Sequence, residues 1–226
     1  MPKPACALIL DMDGVIVDSN PVHRTAWLEY NRSQGVETTE EMQQRMYGKR
    51  NDEIVRDFLG NHLTDVEVFA HGAAKERLYR DLIAPRMPDA LVPGLRQFLE
   101  RRQDLAIGCA SNAEPENVDF VLRAGGIRHL FQVAVDGHKV ARPKPFPDMY
   151  LLAAELLGVE PARCLVFEDS FTGIEAARAA GMKVVGVRTT HHHFPDVDLA
   201  IDDFRAPELA PFVDEFIRYS EELTRK

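Results

Sequence analysis

Two hydrophobic patterns divide the chain. One is a short apolar run bounded by turn residues. It opens at 5–10 and recurs at 105–110, 132–135, 164–167, 183–187 and 199–201. Runs of this length with little polar alternation predict strands buried on both faces. Between the later runs, apolar residues at helical spacing predict helices near 94–102, 115–124, 147–157 and 172–180. Strand and helix in alternation predict an α/β fold, a Rossmann-like parallel sheet with helices on both faces.

The second pattern fills residues 20–84, which carry little strand signal. Its apolar positions fall in helical groups: Ala26, Leu28 and Tyr30, then Ile54, Val55, Phe58 and Leu59, then Val66, Val68 and Phe69. A further helix is expected over about 73–83, with Leu78, Leu82 and Ile83 apolar and Lys75, Arg77 and Arg80 polar. Pro85, Pro88, Pro93 and Gly94 then break the periodicity, as helix-stopping residues do. The expected organisation is a catalytic core of residues 1–14 and 94–226, an inserted small all-helical cap domain at 20–84, and hinges at 15–19 and 85–93.

Composition changes this picture little. The 226 residues are 45% hydrophobic and 28% charged, ordinary for a chain with a sizeable core. A formal net charge of −9 offers no basic surplus for nucleic acid, so no nucleic-acid partner is expected. Cys6, Cys109 and Cys164 each sit in an apolar run, at spacings that suit neither a zinc site nor a disulfide framework. No run approaches the roughly 18 apolar residues of a membrane span, and the run before Asp11 is too short for a signal peptide. A cytoplasmic protein without a membrane partner is expected.

Candidate chemistry lies where the strands end. Asp11-Met12-Asp13-Gly14 follows the first run directly, the place where open α/β sheets bind ligands. Paired carboxylates there can grip a divalent cation, attack an electrophile and move a proton. Taken alone the motif could be a turn. A helix-loop-helix calcium site is excluded, because the oxygen ligands its later positions require are missing. The run at 105–110 ends at Ser111-Asn112, and that at 164–167 ends at Glu168-Asp169-Ser170. Lys144 lies in Arg142-Pro143-Lys144-Pro145-Phe146-Pro147-Asp148, a loop stiffened by proline. Singly, Ser111-Asn112 reads as a cap or turn, Lys144 as a solvated charge, and Glu168-Asp169-Ser170 as a helix N-cap. Together they assemble the parts of phosphoryl transfer. Asp11 and Asp169, with Glu168, would hold Mg2+; Ser111 and Lys144 would take phosphoryl oxygens; Asp11 would attack while ionised, and Asp13 would pass a proton to the leaving oxygen.

These residues, with Gly173-Ile174-Glu175-Ala176-Ala177 and Ala180-Gly181 further on, resemble the haloacid dehalogenase superfamily of aspartate-nucleophile phosphotransferases. Its four signatures appear in order across nearly the whole chain, and the insertion after the first resembles the subgroup with a small helical cap. The resemblance, to beta-phosphoglucomutases and to sugar-phosphate and phosphoglycolate phosphatases, implies catalytic roles for Asp11, Asp13, Ser111 and Lys144, and metal ligands among Asp11, Asp13, Glu168 and Asp169. It adds His23 as relay partner of Asp13, and places Trp27, Lys75 with Tyr79, and the loop Gly48-Lys49-Arg50-Asn51-Asp52 toward substrate, beside Ser111, Asn112 and Lys144. Mutase-like members carry arginine where this chain has Asn51, which weakens the grip on a second phosphate. The expected function is therefore a Mg2+-dependent phosphatase of a small phosphorylated metabolite, acting through an aspartyl-phosphate. A sugar 1-phosphate to 6-phosphate isomerase is the alternative. A non-catalytic binding module is a third reading, which intact Asp11, Asp13, Lys144 and Asp169 argue against. A monomer is expected, and His191, His192 and His193 are given no role.

Overall fold

A computed structural model describes residues 4–46 and 49–224. Six parallel strands form one sheet: β1 (Ala7–Leu10), β2 (Ala106–Ala110), β3 (Val133–Val135), β4 (Cys164–Glu168), β5 (Lys183–Val187) and β6 (Leu199–Ile201), in the order β3-β2-β1-β4-β5-β6. The order reverses at β1, so the crevice at the carboxyl ends of β1, β2 and β4 is the natural ligand position of such a sheet. The strands match the predicted runs, although β1 begins at Ala7 and β3 at Val133.

Side chains alternate between the two faces. Leu8 and Leu10 pack with Ile107, Cys109, Leu165 and Phe167 against α5 (Leu95–Glu100), α6 (Pro115–Ala124) and α9 (Leu209–Thr224). Ala7 and Ile9 pack with Val166 and Val184 against α7 (Asp148–Leu157) and α8 (Phe171–Ala179). The sequence reading did not foresee α9. Its buried Leu209, Val213 and Phe216 stand at helical spacing, a signal that Pro207 and Pro211 obscured.

Residues 20–83 form four helices, α1 (Asn20–Ser33), α2 (Glu40–Gln44), α3 (Asn51–Leu59) and α4 (Asp65–Ile83). Trp27, Met46, Ile54, Val55, Phe58 and Val68 give them an apolar cluster of their own. The helix expected over about 73–83 is longer, because Thr64 and Glu67 start it eight residues earlier as a capping box: the Thr64 backbone N–H donates to Glu67 at 2.8 Å and Glu67 N–H to Thr64 Oγ1 at 3.3 Å.

The outgoing and returning segments run side by side. Asp18 N–H donates to Ala90 O at 2.8 Å and Val92 N–H to Ile16 O at 3.1 Å. The turn preceding them needs glycine twice over. Gly14 has φ +80°, and a Cβ there would fall 1.9 Å from Asp169 Oδ2. Among the described residues no helix is long and apolar enough to cross a membrane.

Candidate active site

Lys144 is the hub of the sheet edge. Its ammonium lies 2.5 Å from Asp11 Oδ1, 2.6 Å from Glu168 Oε1 and 3.1 Å from the carbonyl of Ala110, and so ties together the ends of β1, β4 and β2. All these groups are buried. Sequence proximity alone could not give this arrangement; the parallel register does, setting Leu10 beside Cys109 on one side and Phe167 on the other.

Glu168 is held from every direction. Its Oε1 also accepts from the Tyr150 hydroxyl at 2.6 Å, and its Oε2 accepts from the backbone N–H groups of Asp169 (3.0 Å) and Ser170 (3.2 Å) and from Ser170 Oγ (3.0 Å). Ser170 at the same time caps α8 by accepting from Gly173 N–H at 3.1 Å, so the cap reading and the site reading of this segment are both realised. Asp169 accepts from Thr190 Oγ1, Asn20 Nδ2 (3.2 Å) and Thr189 Oγ1 (3.4 Å).

Asp11, Glu168 and Asp169 each bring a carboxylate oxygen within 4.8 Å of the others. Burial, with the charges of Glu168 and Asp13, raises the Asp11 carboxyl to about 7 although Lys144 pulls the other way. Burial, Glu168 and Asp11 likewise push Asp169 well above the usual carboxylate range. Mutual repulsion that one lysine does not neutralise, among hard oxygen donors, fits a divalent cation. Asp13, expected among the metal ligands, stands outside this carboxylate cluster. Its Oδ1 is occupied by Ser19 Oγ at 2.6 Å and His23 Nε2 at 3.2 Å.

Those contacts set the two aspartates apart. Burial alone would raise Asp13, but His23 and the Ser19 hydroxyl outweigh it and hold the carboxyl below its ordinary value. The ring orientation follows from Lys75, whose Nζ is 3.1 Å from His23 Nδ1. An ammonium can only donate, so Nδ1 is the acceptor and Nε2 carries the proton given to Asp13. Tyr79 stacks on the imidazole at 3.8 Å between ring centres. Lys75 in turn meets Glu76 at 2.5 Å and lies 4.8 Å from the Trp27 ring centre. Glu76 accepts from Asn117 Nδ2 at 2.6 Å, and Asn117 accepts from Arg80 at 2.5 Å. A hydrogen-bonded line thus runs from Asp13 through α1 and α4 back to α6 of the sheet layer.

The sheet edge and helices α1, α3 and α4 border a cavity of about 340 Å3. Asp11, Asp13, Ser111, Asn112, Lys144 and Asp169 line it from below; His23, Trp27, Arg50, Asn51 and Lys75 line it from above. Of the sequence-predicted site residues, Glu168 sits beneath the floor and Gly48 lies outside the described residues. Ser111 Oγ accepts from Ala113 N–H at 3.1 Å, and Asn112 Oδ1 accepts from the Lys144 backbone N–H at 3.3 Å. Sequence reasoning missed Tyr150, Glu76, Glu114, Asn117, Asn20 and Thr190. Tyr150 and Asn117 carry no motif, but Glu76 adjoins Lys75 and Glu114 follows Ser111-Asn112 closely, so proximity to chosen residues was the available signal.

The haloacid dehalogenase-like hydrolase family profile matches residues 7–181. The fructose-1-phosphate phosphatase YqaB of Escherichia coli (strain K12) is 35% identical over 182 residues, covering 80% of this chain and 95% of that protein. The beta-phosphoglucomutase of Bacillus subtilis (strain 168) is 34% identical over 188 residues, covering 80% and 82%. Among solved structures, beta-phosphoglucomutase (pgmB) from Clostridium difficile superposes with a TM-score of 0.82 at 25% identity, covering 94% of this chain and 97% of that one.

Proposed function

The chain belongs to the haloacid dehalogenase-like hydrolases, and we propose on that premise that it is a Mg2+-dependent phosphatase of a small phosphorylated sugar, working through an aspartyl-phosphate on Asp11. The observation that carries the reading is the sheet edge itself, where Asp11 lies 2.5 Å from Lys144 in a cluster of buried carboxylates, with Asp13 two residues on and separately held.

Mg2+ bound by Asp11 and Asp169, with Glu168 beside them, would screen the carboxylates from the incoming phosphate and polarise a phosphoryl oxygen. Lys144 and Ser111 take the remaining phosphoryl charge. An Asp11 oxygen attacks phosphorus, the P–O bond to the sugar breaks, and Asp13 delivers a proton to the departing oxygen. The phosphate dianion entering beside Asp13 raises its pKa, which lets a carboxyl held low in the free protein carry that proton. In the second half Asp13, ionised again, takes a proton from water as that water attacks the aspartyl-phosphate; phosphate leaves and Asp11 is restored. His23, donating through Nε2, keeps Asp13 aimed throughout. The helices α1–α4 act as a cap that excludes bulk water and selects the sugar.

Asp11→Asn tests the reading. Phosphate release from para-nitrophenyl phosphate and from sugar phosphates is expected to fall at least about 1,000-fold, with the circular dichroism spectrum and melting temperature preserved. Turnover within tenfold of the parent protein would remove Asp11 as the nucleophile.

A further inference from the structure

Beside the cavity, a contact apart from the Lys75–Glu76–Asn117 line joins the helical insertion to the sheet layer. Asn51 Nδ2, in the first turn of α3, donates to Glu114 Oε1 at 3.1 Å. Glu114 occupies the N-cap position of α6 yet makes no side-chain cap. Its carboxylate turns toward the cavity, which both residues line. Gly72 of α4 packs close to the pair: a Cβ there would lie 3.4 Å from Asn51 Cβ and 3.7 Å from Glu114 Oε1, in ordinary contact.

The charges around this contact sort themselves. The cavity-lining cations of the insertion each lie beside an acid: Arg56 with Asp65, Arg50 with Asp52 at 3.5 Å, Lys49 with Asp57 at 3.9 Å. Lys75 is committed to Glu76 and His23. Glu114 faces a neutral amide instead. Burial is the main influence that raises its carboxyl; Glu76 and Glu116 add to it, while the bond from Asn51 and the charge of Lys75 oppose it.

We infer that Asn51 and Glu114 form a subsite that accepts the uncharged, hydroxyl-bearing end of a monophosphorylated sugar or polyol and rejects a second phosphate. Glu114 offers acceptor lone pairs to substrate hydroxyls, and Asn51 offers both a donor and an acceptor. A phosphate there would meet a carboxylate at close range, where the described cations of the insertion already lie beside acids of their own. The inference rests on the phosphatase reading and deepens it by naming the substrate class: polyhydroxy phosphomonoesters over their bisphosphates.

The test follows hydrolysis of para-nitrophenyl phosphate by the full chain with Mg2+, and measures inhibition constants for fructose 1-phosphate and fructose 1,6-bisphosphate in the parent protein, Glu114→Gln and Glu114→Lys. In the parent protein the bisphosphate is expected to bind at least tenfold more weakly than the monophosphate. Glu114→Lys should narrow that ratio at least tenfold, and Glu114→Gln, which conserves shape, should fall between. Equal inhibition by both esters in the parent protein, or a ratio unchanged in Glu114→Lys, overturns the subsite. Absence of para-nitrophenyl phosphate hydrolysis in the parent protein overturns the phosphatase reading itself and this inference with it.

Discussion

The two walls of the cavity hold charge in opposite ways. On the sheet wall, Asp11 and Glu168 share the ammonium of Lys144, with the carboxylate of Asp169 close beside them. On the helical wall, ions are paired: Lys75 with Glu76, Arg56 with Asp65, Arg50 with Asp52. The first arrangement is costly, since burying charges without full compensation works against folding, and strand ends fixed by parallel register hold it in place. That cost leaves the wall in need of positive charge, which a bound cation would supply. The second arrangement is nearly self-neutral, so it can orient and sort a substrate but has little field with which to drive phosphoryl transfer.

Removing Lys144 would break the sheet wall most severely. Lys144→Met leaves Asp11 and Glu168 buried without their cation, and should cost about 3–5 kcal/mol of stability together with a turnover loss on the order of 1,000-fold. Chemical denaturation and phosphate release measure the two effects. Adding Asp11→Asn to the same chain removes one of the repelling carboxylates, and should recover part of the stability and none of the activity. A Lys144→Met protein as stable as its parent would show that the wall is not held by this ammonium.

The helical wall is touched more lightly by His23→Ala. Asp13 loses the Nε2 donor and Lys75 loses an acceptor, while Asp11, Lys144 and the carboxylate cluster are untouched. The expected result is a fall in kcat of about 100-fold, at the low end for acid–base assistance, with KM changed little. An unchanged kcat would confine His23 to packing against Tyr79.

The same contrast explains what could be read in advance. Sheet-wall residues follow apolar runs that end abruptly, so Asp11, Ser111 and Glu168-Asp169 were visible as polar groups at strand ends, and parallel topology explains why they gather. Lys144 was legible through its flanking prolines and the family resemblance. The helical wall offers no such rule. Which faces of α1, α3 and α4 look inward depends on how the four helices pack, so the sequence alone does not single out Glu76 although it adjoins Lys75, and its partner Asn117 comes from α6, 41 residues away in the chain. The difference between the Asp11 and Asp13 surroundings has a similar origin: it depends on Ser19 and His23 reaching one carboxylate while Glu168 crowds the other, and spacing along the chain shows neither.

The paired wall has its own signature, the smallest of these effects. Burial works against ionised Glu76, but the charge of Lys75 and the bonds from Lys75 and Asn117 oppose it, and its pKa is lowered from 4.5 to about 2. A carboxyl depressed in the folded state stabilises above its unfolded pKa and loses that contribution as pH falls through the folded value. Here the window runs from about pH 4.5 to about pH 2, and the contribution is about 3 kcal/mol. In a chain of this size that corresponds to roughly 6–12 °C in melting temperature. Glu76→Gln strands Lys75 at neutral pH, so the variant should melt lower there. It lacks the titration, so the gap to the parent protein should close as both are taken from pH 5 toward pH 2. Melting curves at half-unit pH steps measure it. A gap independent of pH would mean that the pair is not ionised in the folded chain, and the neutral-wall half of the comparison would fall with it.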